Sequence, residues 1–135
     1  MVQGAADPLS LAREPLYLHG IELYKAGRFF ECHEVLEELW TPMRGPHRLF
    51  LQALIHVAVA FYHQQRCNPL GAELQLRKAI SKIERYLPLY EGMDTAALHR
   101  EANESLRRIL SGEAPAPPSM LVEGFLDSSR GHRRE

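Results

Sequence analysis

The chain has 135 residues, 45% of them hydrophobic, and a formal net charge of -1; that is enough for one domain with its own core and no covalent staples. With a pI near 6.7, overall charge gives no reason to expect nucleic acid or an anionic membrane as partner. Cys32 and Cys67 form no CxxC pair, which argues against a disulfide framework or zinc knuckle and for two reduced thiols filling small apolar spaces.

The opening MVQGAADPLS lacks a basic segment followed by an apolar run. It does not read as a secretory signal, and a cytoplasmic location is the expectation. After a loose start to about residue 10, Leu16, Ile21, Leu23 and Tyr24 mark a first helix that stops at Gly27. Phe29 to Trp40 forms the second, ended by Thr41-Pro42 because a residue before proline is pushed out of the helical region. Gly45-Pro46 starts a third helix reaching about Arg66. Asn68-Pro69 supplies a cap and a first-turn proline for the fourth, which carries Leu74, Ala79, Ile80 and Ile83 toward Leu87-Pro88. Asp94 is the expected N-cap of a fifth, with Leu98, Leu106, Ile109 and Leu110 as its apolar positions and Gly112 as its stop.

Beyond Gly112, EAPAPPS is a proline-rich linker, Met120, Leu121, Val122, Phe125 and Leu126 can dock on the body, and SSRGHRRE has a disordered composition. No segment alternates strictly enough for a half-buried strand. The predicted fold is therefore all-α: a single-domain antiparallel bundle of four to five helices over residues 11–112, followed by a linker and flexible or docking tail over residues 113–135. Leu49 to Gln65 contains no Lys, Arg, Asp or Glu. It is slightly short for a bilayer span and interrupted by Gln52, His56 and His63, so a buried central helix is expected and no membrane association.

At about 100° per residue, the second helix sorts its charges. Glu31, Glu34 and Glu38 lie opposite the apolar arc of Phe29, Cys32, Val35, Leu36 and Leu39 and read as solvated. His33, Glu37 and Trp40 fall together at its edge, where an imidazole and a carboxylate can share a hydrogen bond. On the third helix Gln52, His56, Val59 and His63 form a narrow polar stripe on an otherwise apolar cylinder. Buried polar groups need partners, and consecutive helices usually pack side by side, so the stripe is expected to face His33 and Glu37. A boundary stripe that only caps the core, or one that simply meets solvent, explains the same pattern without function.

The run LYKAGRFFECHEVLEELW, then Arg48 and LQALIHVAVAFYH, then Asn68-Pro69-x-Gly71-Ala72 resembles the bacterial and archaeal domain-of-unknown-function family 309. Its signature is a His-x-x-x-Glu-x-x-Trp helix followed by a Leu-Gln-x-Leu-Ile helix. The resemblance covers roughly Leu16 to Leu110 and implies a small helical bundle but no activity. His33, Glu37, Trp40, Gln52 and His63 match the family's pattern; His56 departs from it.

Three functional readings follow. His33, Glu37, Trp40, Gln52 and His63 can line a site between the second and third helices for a small molecule, with Glu37 orienting His33 as a general acid or base. No nucleophile accompanies them, and no catalytic motif is present. His33, Glu37, His56 and His63 can alternatively hold a divalent metal such as Zn²⁺, Mn²⁺ or Fe²⁺, although HExxH and paired ExxH motifs are absent. Leu18 to Leu39 and Tyr62 to Ala79 also look like tetratricopeptide-type hairpins, which present grooves to protein partners. Self-association through an apolar helix face is a further partner reading. The basic cluster Arg77, Lys78, Lys82 and Arg85, interleaved with Glu73 and Glu84, reads as a solvated face.

Overall fold

The computed structural model describes residues 10–122. A 3-10 turn at Leu11–Arg13 leads into α1 (Pro15–Lys25), followed by α2 (Phe29–Trp40), α3 (His47–Gln65) and α4 (Pro69–Ile83). A second 3-10 turn, Glu84–Tyr86, and a small hairpin of β1 (Leu89–Tyr90) and β2 (Met93–Asp94) precede α5 (Thr95–Leu110). Each helix packs mainly on its sequence neighbours, so the bundle runs α1 to α5 in chain order. The all-α expectation holds apart from this hairpin, whose two-residue strands are too short to show alternation.

Local chemistry sets the boundaries. Gly27, with φ of 77°, provides the left-handed turn after α1. The Asn68 side chain accepts from Gly71 N at the start of α4, and Asp94 accepts from Ala97 N at the start of α5, satisfying amides that the helix leaves open. Gly92 and Glu91 form the hairpin turn: both have positive φ, at 77° and 49°, the geometry of a turn joining right-twisted strands. The Glu91 carboxylate accepts from Ser10 Oγ and Leu11 N, tying the chain start to the hairpin.

α3 is the centre of the core. Phe50, Leu51, Ala53, Leu54, Val57, Ala58 and Ala60 are fully buried against Cys32 and Leu36 of α2, Leu76 and Ile83 of α4, and Leu98 of α5. Beyond Gly112 the chain turns back over α1 and α5: Tyr24 Oη donates to Pro118 O, Ser119 N to Glu101 Oε1, and Ser105 Oγ to Ala116 O. Met120 and Val122 are buried there, and Val122 bridges Met93 of β2. Phe125, Leu126 and SSRGHRRE lie outside the described residues.

Three expectations need correction. Cys67 is exposed in the α3–α4 turn and fills no apolar space, unlike the buried Cys32. Leu74 and Leu110 are exposed although both were expected on apolar faces; each projects away from the neighbouring helices.

Candidate functional site

α3 is enclosed by α2 on one flank and α4 on the other, and this leaves Gln52, His56, Val59 and His63 half-buried along the strip between them. Contacts on both flanks define the walls. On the α2 side, the rings of Phe30 and Tyr62 are 5.1 Å apart, and the Arg48 guanidinium stands 4.0 Å from the Trp40 ring. On the α4 side, His56 Nδ1 is 2.7 Å from Gln75 Oε1, and His63 Nδ1 is 3.3 Å from Asn68 Nδ2. His63 also lies so close to Gly71 that a Cβ there would stand 2.9 Å from its ring, so glycine lets α3 and α4 approach at this end.

The predicted residues distribute over this groove unevenly. His33 and Glu37 pair with each other, Nε2 to Oε2 at 3.5 Å, and His33 Nδ1 lies 3.3 Å from Phe30 O. Glu37 remains half exposed, so the pair sits on the rim. Trp40 closes the far end of the α2 wall, where Arg48 Nη1 donates to Trp40 O at 2.9 Å and Met43 O at 3.1 Å. These bonds tie the start of α3 to the turn that follows α2, where Met43 N also donates to Trp40 O. Glu31 is solvated as expected and ion-pairs with Arg28 at 3.0 Å.

Among the described residues, the hydrogen bonds of the stripe run to Gln75 and Asn68 and not to His33 and Glu37. His56 turns to Gln75 of α4, because its position lies on the α4 side of the strip. The four residues considered as metal ligands therefore fall into three separate contacts: His33 with Glu37, His56 with Gln75, and His63 with Asn68. Among the described residues, no group of three or more His, Cys, Asp or Glu side chains is arranged to hold a metal ion.

His56 has the most constrained electrostatics in the groove. Burial lowers its pKa below the ordinary histidine value, and the charges of Lys82 and Lys78 add to that, while the Gln75 hydrogen bond opposes it. Its Nε2 is buried with no hydrogen-bond partner among the described residues, as are Trp40 Nε1 and Tyr17 Oη. Cys32 offers no nucleophile, since burial pushes its thiol pKa up to about 12. Gln75, Lys78 and Lys82 were not singled out for this site from sequence. Their spacing of i, i+3 and i+7 places them on one helix face, the signal that could have marked them as a wall.

Among the described residues, no helix is long and apolar enough to cross a membrane. A stretch of 66 residues is 37% identical to a Bacillus subtilis (strain 168) protein described as "Uncharacterized protein YpuF", covering 47% of this chain and 37% of that protein. The shared stretch thus spans little more than a third of the relative. A family model described as "Domain of unknown function (DUF309)" matches residues 17–74, a shorter span than the resemblance suggested, taking in His33, Glu37, Trp40, Gln52, His56 and His63 but ending just before Gln75. Over residues 17–74, from α1 to the start of α4, the chain is thus similar to the domain that this family describes.

Proposed function

We propose that the groove floored by Gln52, His56, Val59 and His63 and walled by α2 and α4 is a ligand-binding surface. One observation carries this reading: α3 is packed away on its other faces, yet its polar stripe stays half-buried between two walls. A polar strip set in an otherwise apolar helix costs stability unless its groups are satisfied, and a bound molecule can satisfy them. His33, Glu37 and Trp40 form one rim, in reach of a ligand's outer part. With the two thiols free, we assign the protein to the cytoplasm.

A thermal-shift screen of small polar metabolites tests the reading. A stabilising compound whose effect disappears in Gln52→Ala and His33→Ala supports it. A compound whose NMR shifts map away from α2, α3 and α4 overturns it.

A protein partner is the second reading, favoured by exposed apolar side chains beside the groove: Phe30 at 43%, Leu70 at 65% and Leu74 at 51% exposure. Leu70 and Leu74 are one helical turn apart and share a face. Sedimentation of wild type and Leu74→Asp tests self-association through that face. A dimer lost on substitution supports it, and a monomer at all concentrations removes it.

A further inference from the structure

We infer that the middle of the groove is a site for a singly protonated phosphate group, accepted by His56 Nε2 and held by the ammonium groups of Lys78 and Lys82. This rests on the groove being a ligand surface and adds the chemistry of the ligand. The argument starts from the hydrogen bond between His56 and Gln75. Gln75 Oε1 can only accept, so Nδ1, at 2.7 Å, carries the ring proton. In a neutral ring Nε2 is then a bare acceptor, and it is buried with no partner among the described residues. Such an atom forgoes roughly 1–3 kcal/mol until a donor reaches it.

The surroundings select the donor. Lys78 and Lys82 follow Gln75 on the same face of α4, and both act electrostatically on His56. Among the described residues, no carboxylate forms an ion pair with either lysine. Two ammonium groups repel a cation, so Nε2 is a poor metal ligand here. A ligand that fits must present an O–H toward Nε2 and negative oxygens toward the lysines. Monohydrogen phosphate does both. Sulfate carries the charge without the proton, and a carboxylate likewise lacks the donor. A phosphate monoester, whose second pKa is about 6, meets the requirement only while singly protonated. Both lysines have flexible stems, which lets their ammonium groups follow an anion.

The experiment uses the full chain and compares inorganic phosphate with sulfate at equal ionic strength, read by the ¹⁵N shift of His56 Nε2 and by calorimetry. Phosphate is expected to bind at millimolar concentration or better and to move Nε2, while sulfate leaves it in place. The preference for phosphate should vanish in His56→Leu. The surface variant Lys78→Gln/Lys82→Gln, which spares the core, should weaken phosphate binding about tenfold or more, the equivalent of about 1.4 kcal/mol. Glycerol 3-phosphate, compared above and below its second pKa, distinguishes an ester ligand from free phosphate. Equal responses to phosphate and sulfate, or an unmoved Nε2, overturn the inference. If phosphate fails while another compound perturbs Gln52 and His63, this inference falls and the groove reading stands.

Discussion

The Tyr24 hydroxyl donates to Pro118 O at 2.6 Å, joining residues 94 apart in sequence and anchoring the segment after Gly112 to α1. Both groups are buried, and the tyrosine's pKa is raised, first by burial and then by the nearby Cys32 and Glu101. Tyr24→Phe keeps the ring packed on Phe29 but leaves the carbonyl unsatisfied, a cost of about 1–3 kcal/mol. Urea unfolding is expected to register that loss, with faster amide exchange concentrated at residues 117–122. Uniform exchange across the bundle would show that the bond does not anchor the segment.

Gly20 and Leu36 set the spacing of α1 and α2. A Cβ on Gly20 would stand 2.6 Å from Leu36 Cδ2 and 2.8 Å from Cγ, and Leu36 is fully buried. Alanine improves helix propensity by about 1 kcal/mol, whereas overpacking costs roughly 1–3 kcal/mol. The second effect is expected to win, so Gly20→Ala should lose about 1 kcal/mol net. Because the clash involves one side chain, Gly20→Ala combined with Leu36→Ala should lose less than the sum of the two single variants. Strict additivity in denaturant unfolding would refute this.

Arg48 holds the end of α2 through the carbonyls of Trp40, Thr41 and Met43 and its guanidinium over Trp40. Arg48→Met preserves the apolar stem and removes the donors, with an expected cost of about 1–2 kcal/mol. Arg48→Lys should recover less than half of that, since an ammonium lacks the planar fork. Trp40 is the chain's one tryptophan, so its emission reports directly on the contact. Unchanged emission in Arg48→Met would mean that the guanidinium does not shape the ring's environment.

The helix punctuation was legible because its causes are local. Gly27, Asn68 and Asp94 act within a few residues of themselves, and each stands where turn or capping chemistry puts it. The pairing of His33 with Glu37 was legible for the same reason, being one helical turn. The partner of His56 was not. Periodicity gives the angle of a residue on its own helix, but whether α2 or α4 covers that angle depends on how three helices pack. Gln75, from the helix that supplies the second wall, therefore stayed hidden until the two helices were placed side by side. The hairpin escaped for a different reason: Glu91 takes a positive φ that its side chain does not favour, held by bonds to Ser10 and Leu11 at the far end of the chain.

His56 should make stability depend on pH in a definite direction. In the unfolded chain its pKa is the ordinary value of about 6.5; in the fold it is lower, through burial and the two lysines. Above about pH 7.5 both states hold a neutral ring, and the residue adds no slope. As pH falls through about 6.5, the unfolded state takes up a proton that the folded state still refuses, so stability declines until the lowered folded pKa is passed. His56→Gln abolishes this component without adding charge. The difference in urea midpoint between the variant and wild type, followed from about pH 7.5 down to about pH 5, should therefore move in the variant's favour as pH falls. Gln75→Met removes the one bond that raises the folded pKa, so its decline should extend to lower pH than that of wild type. A midpoint difference that is flat with pH would mean that His56 titrates alike in the two states, and that the lysines and burial do not hold its ring neutral.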